Sequence, residues 1–195
     1  MPTTVKLKDG TEVLIREMTK DDYERSLAFF RELPEEDMLF LRRDVSDPEV
    51  VRDRVEEAER GNVKRLVAVA DDKIVADGAL ELAGHGWQQH MAELRLIIAR
   101  PYQRKGLGTL MARELYRLAS SEGVEEIVVR MMRPQTAARN IFRKLGFHEE
   151  ILLPSFVKDH RGAKQDLILM RCDLKELWQR LETFLSELDA AGFRG

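Results

Sequence analysis

Residues 102–110, YQRKGLGTL, separate two apolar patterns that differ in period. The preceding run 91–99, MAELRLIIA, alternates its faces as a β-strand does. The following run 107–123 repeats its apolar residues with helical spacing. Because the period changes across a turn that contains Gly106 and Gly108, the chain is constrained to form a strand, a tight turn and a helix at this point.

The rest of the chain also alternates between strand and helix patterns. A hairpin is predicted over residues 6–18, with Asp9-Gly10 as its turn, and two paired strands over 63–82. A helix is predicted from Asp47-Pro48, because proline fits the first helical position. Later runs predict further strands and a short helix that ends before Gly146. This order indicates one mixed α/β domain.

The last predicted element is an amphipathic helix. Its apolar side chains recur with helical period, at Leu174, Trp178, Leu181, Leu185 and Leu188. We therefore divide the chain into a domain over residues 1–172 and an appended C-terminal helix over 173–195. The apolar stripe has to be buried, and two interpretations remain, packing on its own domain or a homodimer contact.

Composition excludes several classes of protein. The 195 residues include 32 basic and 35 acidic side chains, a balance that does not favour nucleic-acid binding. No segment has the length and apolarity of a membrane span or a signal peptide, so the expected location is the cytoplasm. Cys172 is the single cysteine and the four histidines are scattered, so no metal site is predicted.

The glycine turn has the properties of a phosphate site. The first N–H groups of a helix have no internal partner, and the helix dipole adds positive potential there. Arg104 and Lys105 add charge, and the glycines keep Cβ atoms away from a ligand. The dinucleotide fingerprint would need a glycine where Met111 stands, and the P-loop spacing is also absent. On spacing alone, a phosphate site and an ordinary loop both remain open.

Two motifs together resemble a known family. The stretch 97–119, IIARPYQRKGLGTLMARELYRLA, resembles the cofactor signature of the GNAT N-acetyltransferases, with Gln103, Gly106 and Gly108 at its fixed positions. The stretch 136–147, TAARNIFRKLGF, resembles the second signature of that superfamily. The resemblance implies an α/β fold with a mixed, mostly antiparallel central sheet flanked by helices, to which the C-terminal helix is an addition.

The same resemblance implies acetyl-CoA as cosubstrate. The loop N–H groups would hold the pyrophosphate, the strand end before the loop would lie along the pantetheine arm, and two side chains of the second signature would approach the cofactor. The implied cofactor-binding set is Ile97, Ile98, Ala99, Gln103, Arg104, Lys105, Gly106, Leu107, Gly108, Thr109, Asn140 and Lys144.

Acetyl transfer to a primary amine needs a base. An alkylamine has a pKa of about 10.4, so only about one molecule in 10³ is free base at neutral pH. Glu93 lies where many members of the family carry a catalytic glutamate, and the alternative is a carboxylate paired with an arginine of a neighbouring strand. A family tyrosine that protonates the leaving thiolate is replaced by Phe142, and an asparagine by Gln135. A non-catalytic acyl-CoA-binding or regulatory module is therefore the rival function.

The acceptor is the least determined part of the reaction. The N-terminal part faintly resembles the acetyltransferase domain of bacterial protein-lysine acetyltransferases, which ranks a protein lysine among the amine-bearing proteins and small molecules. Two interpretations remain for Phe156 and Asp159: they shape an acceptor pocket, or they belong to a plain hairpin with Arg161-Gly162 as its turn.

Overall fold

An eight-stranded sheet forms the centre of the computed structural model, which describes residues 2–45 and 47–179. Its strand order is β1-β2-β3-β4-β5-β6-β8-β7, and every neighbouring pair is antiparallel except β5 and β6. This order confirms the predicted mixed, mostly antiparallel sheet. The strands are β1 Thr3–Lys6, β2 Glu12–Glu17, β3 Val63–Ala70, β4 Lys73–Leu82, β5 Met91–Ile98, β6 Glu126–Met132, β7 His148–Lys158 and β8 Lys164–Asp173.

Five α-helices lie wholly within the described residues: α1 Tyr23–Arg31, α2 Glu35–Met38, α3 Pro48–Glu59, α4 Leu107–Ser121 and α5 Thr136–Lys144. Helix α3 begins at Pro48, as predicted from the proline at the first helical position. The Asp47 carboxylate caps this end, because it accepts the N–H of Glu49 at 2.9 Å. The predicted hairpin is also present, and Gly10 adopts a φ of 89° at its turn.

Two hydrophobic cores lie on opposite faces of the sheet. The larger packs α4 and α5 on one face, and the smaller packs α1 and α3 on the other. Gly78 allows α4 to lie directly on β4, because a Cβ at this position would be 2.9 Å from Leu115 Cδ1. The alternation of β4 and β5 sends Asp77, Glu81, Glu93 and Arg95 to the α1–α3 face.

The parallel pair β5–β6 opens into a cleft. Pairing is limited to three positions, Met91 with Glu126, Ala92 with Ile127 and Glu93 with Val128. Beyond Glu93, β5 stays paired with β4 as far as Ile98, while β6 continues beside β8. The two halves of the sheet therefore separate from Leu94 onwards, and the edges that face each other are left for other partners.

The C-terminal helix begins at residue 174 and is described as far as 179. Leu174 is buried in the larger core, and Trp178 Nε1 donates to Ser120 Oγ at 3.2 Å. This first part lies on its own domain. The predicted positions Leu181, Leu185 and Leu188 lie outside the described residues, so the proposed division at residue 173 remains a prediction.

Candidate active site

The cleft between β5 and β6 is the main candidate site. A cavity of about 110 Å³ lies between the separated strands, walled by Ile97 of β5, Met131 of β6 and Phe142 of α5. Residues 40–42, from the segment between α2 and α3, form another wall. The same three residues line a neighbouring cavity of about 420 Å³ at the β7–β8 hairpin. The two cavities share walls and form one continuous candidate cleft.

The open edge of β5 presents backbone donors. Ala99 N–H donates to Val75 O at 2.9 Å, which directs this N–H towards β4. Because successive residues of a strand alternate, the N–H groups of Ile98 and Leu96 point to the cleft. The Gln103 side-chain amide donates to Ile98 O at 2.9 Å and fixes the strand end to the loop. The predicted residues Ile97, Ile98, Ala99 and Gln103 therefore lie together at this end of the cleft.

The glycine loop has the geometry of an anion site. Gly106 precedes α4 with a φ of +91°, a conformation that side chains with a Cβ rarely adopt. The first backbone bond into the helix runs from Leu110 N to Gly106 O at 3.2 Å, and no side chain caps this end. The N–H groups of Leu107, Gly108 and Thr109 therefore remain for a ligand, and the helix dipole favours a negative one.

Lysines from two segments flank this loop. Lys105 Nζ lies 2.7 Å from Asp9 Oδ2, so the charge of Lys105 is shared with the β1–β2 turn. That interaction and Thr11 lower the pKa of Asp9 to about 2. Lys8 was not predicted from the sequence, yet its Cε lies 3.8 Å from the position of a Cβ on Gly106. The hairpin thus supplies a second cation beside the candidate phosphate site.

The remaining predicted cofactor-binding residues are partly buried beside the loop and partly exposed on α5. The side chain of Leu107 is fully buried in the larger core, so only its backbone faces the loop. A Cβ on Gly108 would lie 3.1 Å from Ile98 Cδ1, which shows how closely α4 approaches β5. Asn140 and Lys144 are exposed on α5, and neither lines the two cavities. Their contact with a cofactor stays a prediction.

Glu93 is held by two arginines at the point where the strands separate. Its side chain is only 6% exposed. Arg130 Nε donates to both carboxylate oxygens at 3.1 Å, and Arg42 forms a second ion pair with Glu93. Arg130 comes from β6 and Arg42 from the segment after α2, so this ion-pair triad joins both halves of the sheet to the segment across them.

A second ion-pair group lies deeper on the same face. Asp77 is fully enclosed, and its Oδ1 accepts from Arg65 at 2.7 Å and from Arg54 at 3.1 Å. Burial, opposed by the charge of Asp77 and assisted by repulsion from Arg65 and Arg95, lowers the pKa of Arg54 to about 10. Burial likewise lowers the pKa of Arg42 to about 10, together with repulsion from Arg95 and Arg130.

The β7–β8 hairpin closes the larger cavity. Phe156 and Asp159 both line it, and the hairpin turns at residues 159–163 with Gly162 at a φ of 80°. The predicted hairpin is therefore present, and the part of Phe156 and Asp159 in an acceptor pocket stays a prediction. The hairpin tip contacts the segment across the cleft, because His160 Nε2 lies 2.6 Å from Leu41 O and Arg161 pairs with Glu35 at 2.7 Å.

Two departures from the family pattern have structural roles. Phe142 is 8% exposed and packs edge-on against Phe147 in the larger core, with ring centroids 5.2 Å apart. Gln135 Oε1 accepts the N–H of Met132 at 2.8 Å and closes the turn after β6. Neither side chain offers an acidic proton to the cleft.

The family of this chain follows from its sequence, which contains the glycine loop and the second signature. A sequence model of the GNAT acetyltransferase family matches residues 19–147, more than half of the chain. The chain belongs to the GNAT family of acetyltransferases. The matched region contains both motifs that carry the resemblance, at residues 103–108 and 136–147.

Solved structures share this GNAT fold. The acetyltransferase of GNAT family from Streptococcus pneumoniae has a TM-score of 0.71 and 22% identity, over 82% of this chain and 98% of that one. The GNAT domain of S. lividans PAT has a TM-score of 0.72 and 17% identity, over 88% and 96%. Ribosomal-protein-alanine N-acetyltransferase from Brucella melitensis has a TM-score of 0.72 and 22% identity, over 82% and 98%. At these identities the likeness concerns the fold.

No helix in the described part of this GNAT protein is long and apolar enough to cross a membrane. Within residues 2–45 and 47–179, no three His, Cys, Asp or Glu side chains are grouped as metal ligands would be.

Proposed function

We propose that this GNAT protein transfers an acetyl group from acetyl-CoA to a primary amine. The observation that carries the proposal is the open end of α4 next to the cleft between β5 and β6. A phosphate-sized anion fits the three free N–H groups after Gly106, and an extended chain fits the unpaired edge of β5. The family membership supports the same cosubstrate.

The residues present fit the three parts of acetyl-CoA. Backbone donors of 104–109, with Lys8 beside them, would hold the pyrophosphate. The edge at Leu96 and Ile98 would pair with the amide groups of the pantetheine arm. The cosubstrate supplies a thioester, which an amine nitrogen attacks so that a C–N bond forms and the C–S bond breaks. The N–H groups on the β5 edge are the donors available to a carbonyl oxygen that gains negative charge.

Glu93 is the proposed base for the amine proton. It lies where β5 and β6 part, and it forms ion pairs with Arg42 and Arg130. Both arginines line the cleft, whereas Glu93 lies behind them, so the proton reaches the carboxylate through water or after one guanidinium moves aside. The same arrangement also fits a purely structural role, in which Glu93 and the two arginines hold the halves of the sheet together.

The leaving thiolate has no acidic partner at the position of Phe142. A thiol with a pKa of about 8.5 leaves without assistance, so turnover does not require a tyrosine there. The rival function, a non-catalytic acyl-CoA-binding or regulatory module, is favoured by the same phenylalanine and by the occupied carboxylate of Glu93. It predicts binding of acetyl-CoA without thiol release on any amine.

A protein lysine is one proposed acceptor. It is supported by the faint N-terminal resemblance to protein-lysine acetyltransferases. One of the solved structures with the same fold acts on a protein, as its name ribosomal-protein-alanine N-acetyltransferase states. Small amines fit the cavity at the β7–β8 hairpin equally well by volume, which is about 420 Å³.

Thermal unfolding with acetyl-CoA tests the cosubstrate. At a concentration a hundred times its Kd, the ligand adds about 2.7 kcal/mol to the free energy of unfolding. For a chain of this size the midpoint is expected to rise by roughly 5–10 °C. ATP and NADPH serve as comparison ligands and are expected to give no shift. Thiol release on a panel of amines then separates the transferase from the rival module.

A glycine variant shows whether the shift depends on the loop. Gly106→Ala forces a side chain into a left-handed backbone and is expected to remove most of the acetyl-CoA shift. Gly61→Ala is the matched control, because Gly61 has a φ of +84° in a turn away from the cleft, with no atom within 4 Å of an added Cβ. Equal shifts in both variants would mean that the loop does not bind the cosubstrate.

A homodimer is the remaining proposal from the sequence, which assigned the contact to the apolar stripe of the C-terminal helix. Exposed apolar side chains on β7 are a second candidate contact. Ile151 and Leu152 are 51% and 47% exposed on β7, which is an edge strand of the sheet. Sedimentation velocity over a concentration series is expected to show a species of twice the monomer mass, and the double variant Ile151→Glu/Leu152→Glu is expected to abolish it. Trp87→Glu, at a side chain that is 87% exposed in a loop, is the control. A monomer at every concentration would exclude the dimer.

A further inference from the structure

The walls of the cleft hold more guanidinium groups than carboxylates. Arg95 links the two ion-pair groups, because its charge lowers the pKa of both Arg42 and Arg54. Arg95 itself pairs with Glu81 on the neighbouring strand. We refer to these side chains as the arginine cluster, which contains five arginines and three carboxylates: Arg42, Arg54, Arg65, Arg95 and Arg130 with Asp77, Glu81 and Glu93.

Burial makes this excess of positive charge costly. A charge removed from water has to be compensated by an opposite charge nearby. Arg54 is 6% exposed, and the Nε atoms of Arg54 and Arg95 are buried without a hydrogen-bond partner among the described residues. Both residues line the smaller cavity. An anion in the cleft would therefore be stabilised by the whole cluster.

Two members of the cluster face the ligand side directly. Arg42 and Arg130 line both cavities, with side chains 33% and 46% exposed. Glu93 engages Nε and Nη2 of Arg130 and Nη2 of Arg42. Since a guanidinium has five N–H donors, further donors of both arginines remain for a second carboxylate.

Among the described residues that line the larger cavity, Asp159 is the one carboxylate. The hairpin already uses it, because Oδ1 accepts from Arg161 N and Ala163 N at 3.0 Å and Oδ2 from Gln165 Nε2 at 2.9 Å. Lys158 adds another positive charge to this wall. The other walls are largely apolar, for example at Phe156. A polyamine would thus bring its second ammonium group to a wall without a free carboxylate.

We propose that the acetyl acceptor is an amine that carries a carboxylate close to the amino group, and that Arg42 and Arg130 bind this carboxylate. The inference rests on the proposed acetyl transfer. Guanidinium groups bind a carboxylate through paired, charge-assisted hydrogen bonds. The same positive charges disfavour the ammonium form of the acceptor, so they also favour the free amine that attacks the thioester. A compound of the size of an α-amino acid fits the cavity of about 420 Å³.

Matched acceptors test the inference. Each of the common α-amino acids is assayed beside its carboxamide and its decarboxylated amine, with thiol release from acetyl-CoA as the readout. The acid is expected to exceed its carboxamide in kcat/KM by about 10–100-fold, the range for a hydrogen bond to a charged group. Lysine peptides with flanking glutamates are compared in the same assay with peptides that carry glutamines instead. A preference for the glutamate peptide alone, with acids and carboxamides used equally, would overturn the proposal that the carboxylate lies close to the amino group.

Variants connect that preference to Arg130. Arg130→Gln is expected to reduce the ratio between acid and carboxamide to near one, and Arg130→Lys, which keeps the charge without the paired donors, to an intermediate value. Removal of Arg130 can also impair Glu93 and lower kcat. The ratio between acid and carboxamide stays informative, because that loss affects both acceptors equally. Arg133→Gln is the matched control. Arg133 lies just beyond the end of β6, outside the cleft, and pairs with Asp166 at 3.0 Å.

The outcomes separate this inference from the proposed function. Equal use of acids and carboxamides, a preference for polyamines, or an unchanged ratio in Arg130→Gln would overturn carboxylate recognition and leave acetyl transfer in place. Binding of acetyl-CoA without turnover of any carboxylate-bearing amine would overturn it as well. Absence of both a thermal shift with acetyl-CoA and thiol release would overturn the function itself.

Discussion

Glu93→Gln is expected to lower kcat about 10²-fold near neutral pH, with the deficit shrinking as the pH rises. The amide cannot accept a proton, so the variant depends on the small fraction of acceptor that is already free base. Each pH unit raises that fraction about tenfold until the pKa of the amine is reached. The measurement is kcat for thiol release, with wild type and variant compared across about pH 6–10.

Glu81→Gln is the matched control for the loss of charge. Glu81 lies directly opposite Glu93 on β4 and pairs with Arg95, so the substitution removes one negative charge from the same arginine cluster. It is expected to change kcat only a few-fold, with no dependence on pH beyond that of the wild type. A loss in Glu93→Gln that is constant across the pH range would contradict the role as base and leave Glu93 as a clamp between Arg42 and Arg130.

Asp77→Asn is expected to lower the free energy of unfolding by about 3–5 kcal/mol. Asn cannot neutralise Arg54 and Arg65, which are buried and lie 3.1 and 2.7 Å from the Asp77 carboxylate. For a chain of this size the midpoint of thermal unfolding should fall by roughly 6–20 °C. Thermal and urea unfolding of the purified variant would measure the effect.

The effect of Asp77→Asn should depend on pH with a defined sign. Burial alone would raise the pKa of Asp77, but the charges and hydrogen bonds of Arg65 and Arg54 outweigh it, and the pKa lies below its ordinary value. The stabilisation is present above the ordinary pKa and is lost as the pH falls through the lowered one. The difference between wild type and variant should therefore narrow below about pH 4.

An exposed aspartate provides the comparison for that variant. Asp72→Asn, at a side chain that is 83% exposed, should change the free energy of unfolding by less than about 0.5 kcal/mol. If Asp77→Asn were as stable as Asp72→Asn, the buried ion pairs would not contribute to folding and the description of this side of the sheet would be wrong.

Local patterns in the sequence predicted the parts of the candidate site that are built from contiguous residues. The change of period across Gly106 and Gly108 predicted the end of β5, the turn and the start of α4. The sequence also predicted the start of α3 at Asp47-Pro48 and the end of α5 before Gly146. These features follow from backbone conformation and side-chain spacing within a few residues, so no distant contact is needed to specify them.

The predictions failed to include residues that reach the site from other segments. Lys8 lies beside Gly106 because the β1–β2 turn is hydrogen-bonded to the loop, from Lys8 N to Lys105 O at 3.1 Å. Arg42 and Arg130 are 88 positions apart in the sequence and meet only at Glu93. Alternation on β5 placed Glu93 and Arg95 on one face, yet it gave no information about which cations the other strands would bring.

The sequence by itself determined the family and the place of the glycine loop, because both depend on short motifs whose backbone geometry is local. Only the tertiary structure decided that Glu93 is buried between two arginines and that the cleft has an excess of positive charge. Ion pairing across strands depends on register and on the path of the segment after α2, and neither is encoded in the spacing of residues along one element. The charge of the cleft, and with it the proposed choice of acceptor, is therefore a property of the folded chain.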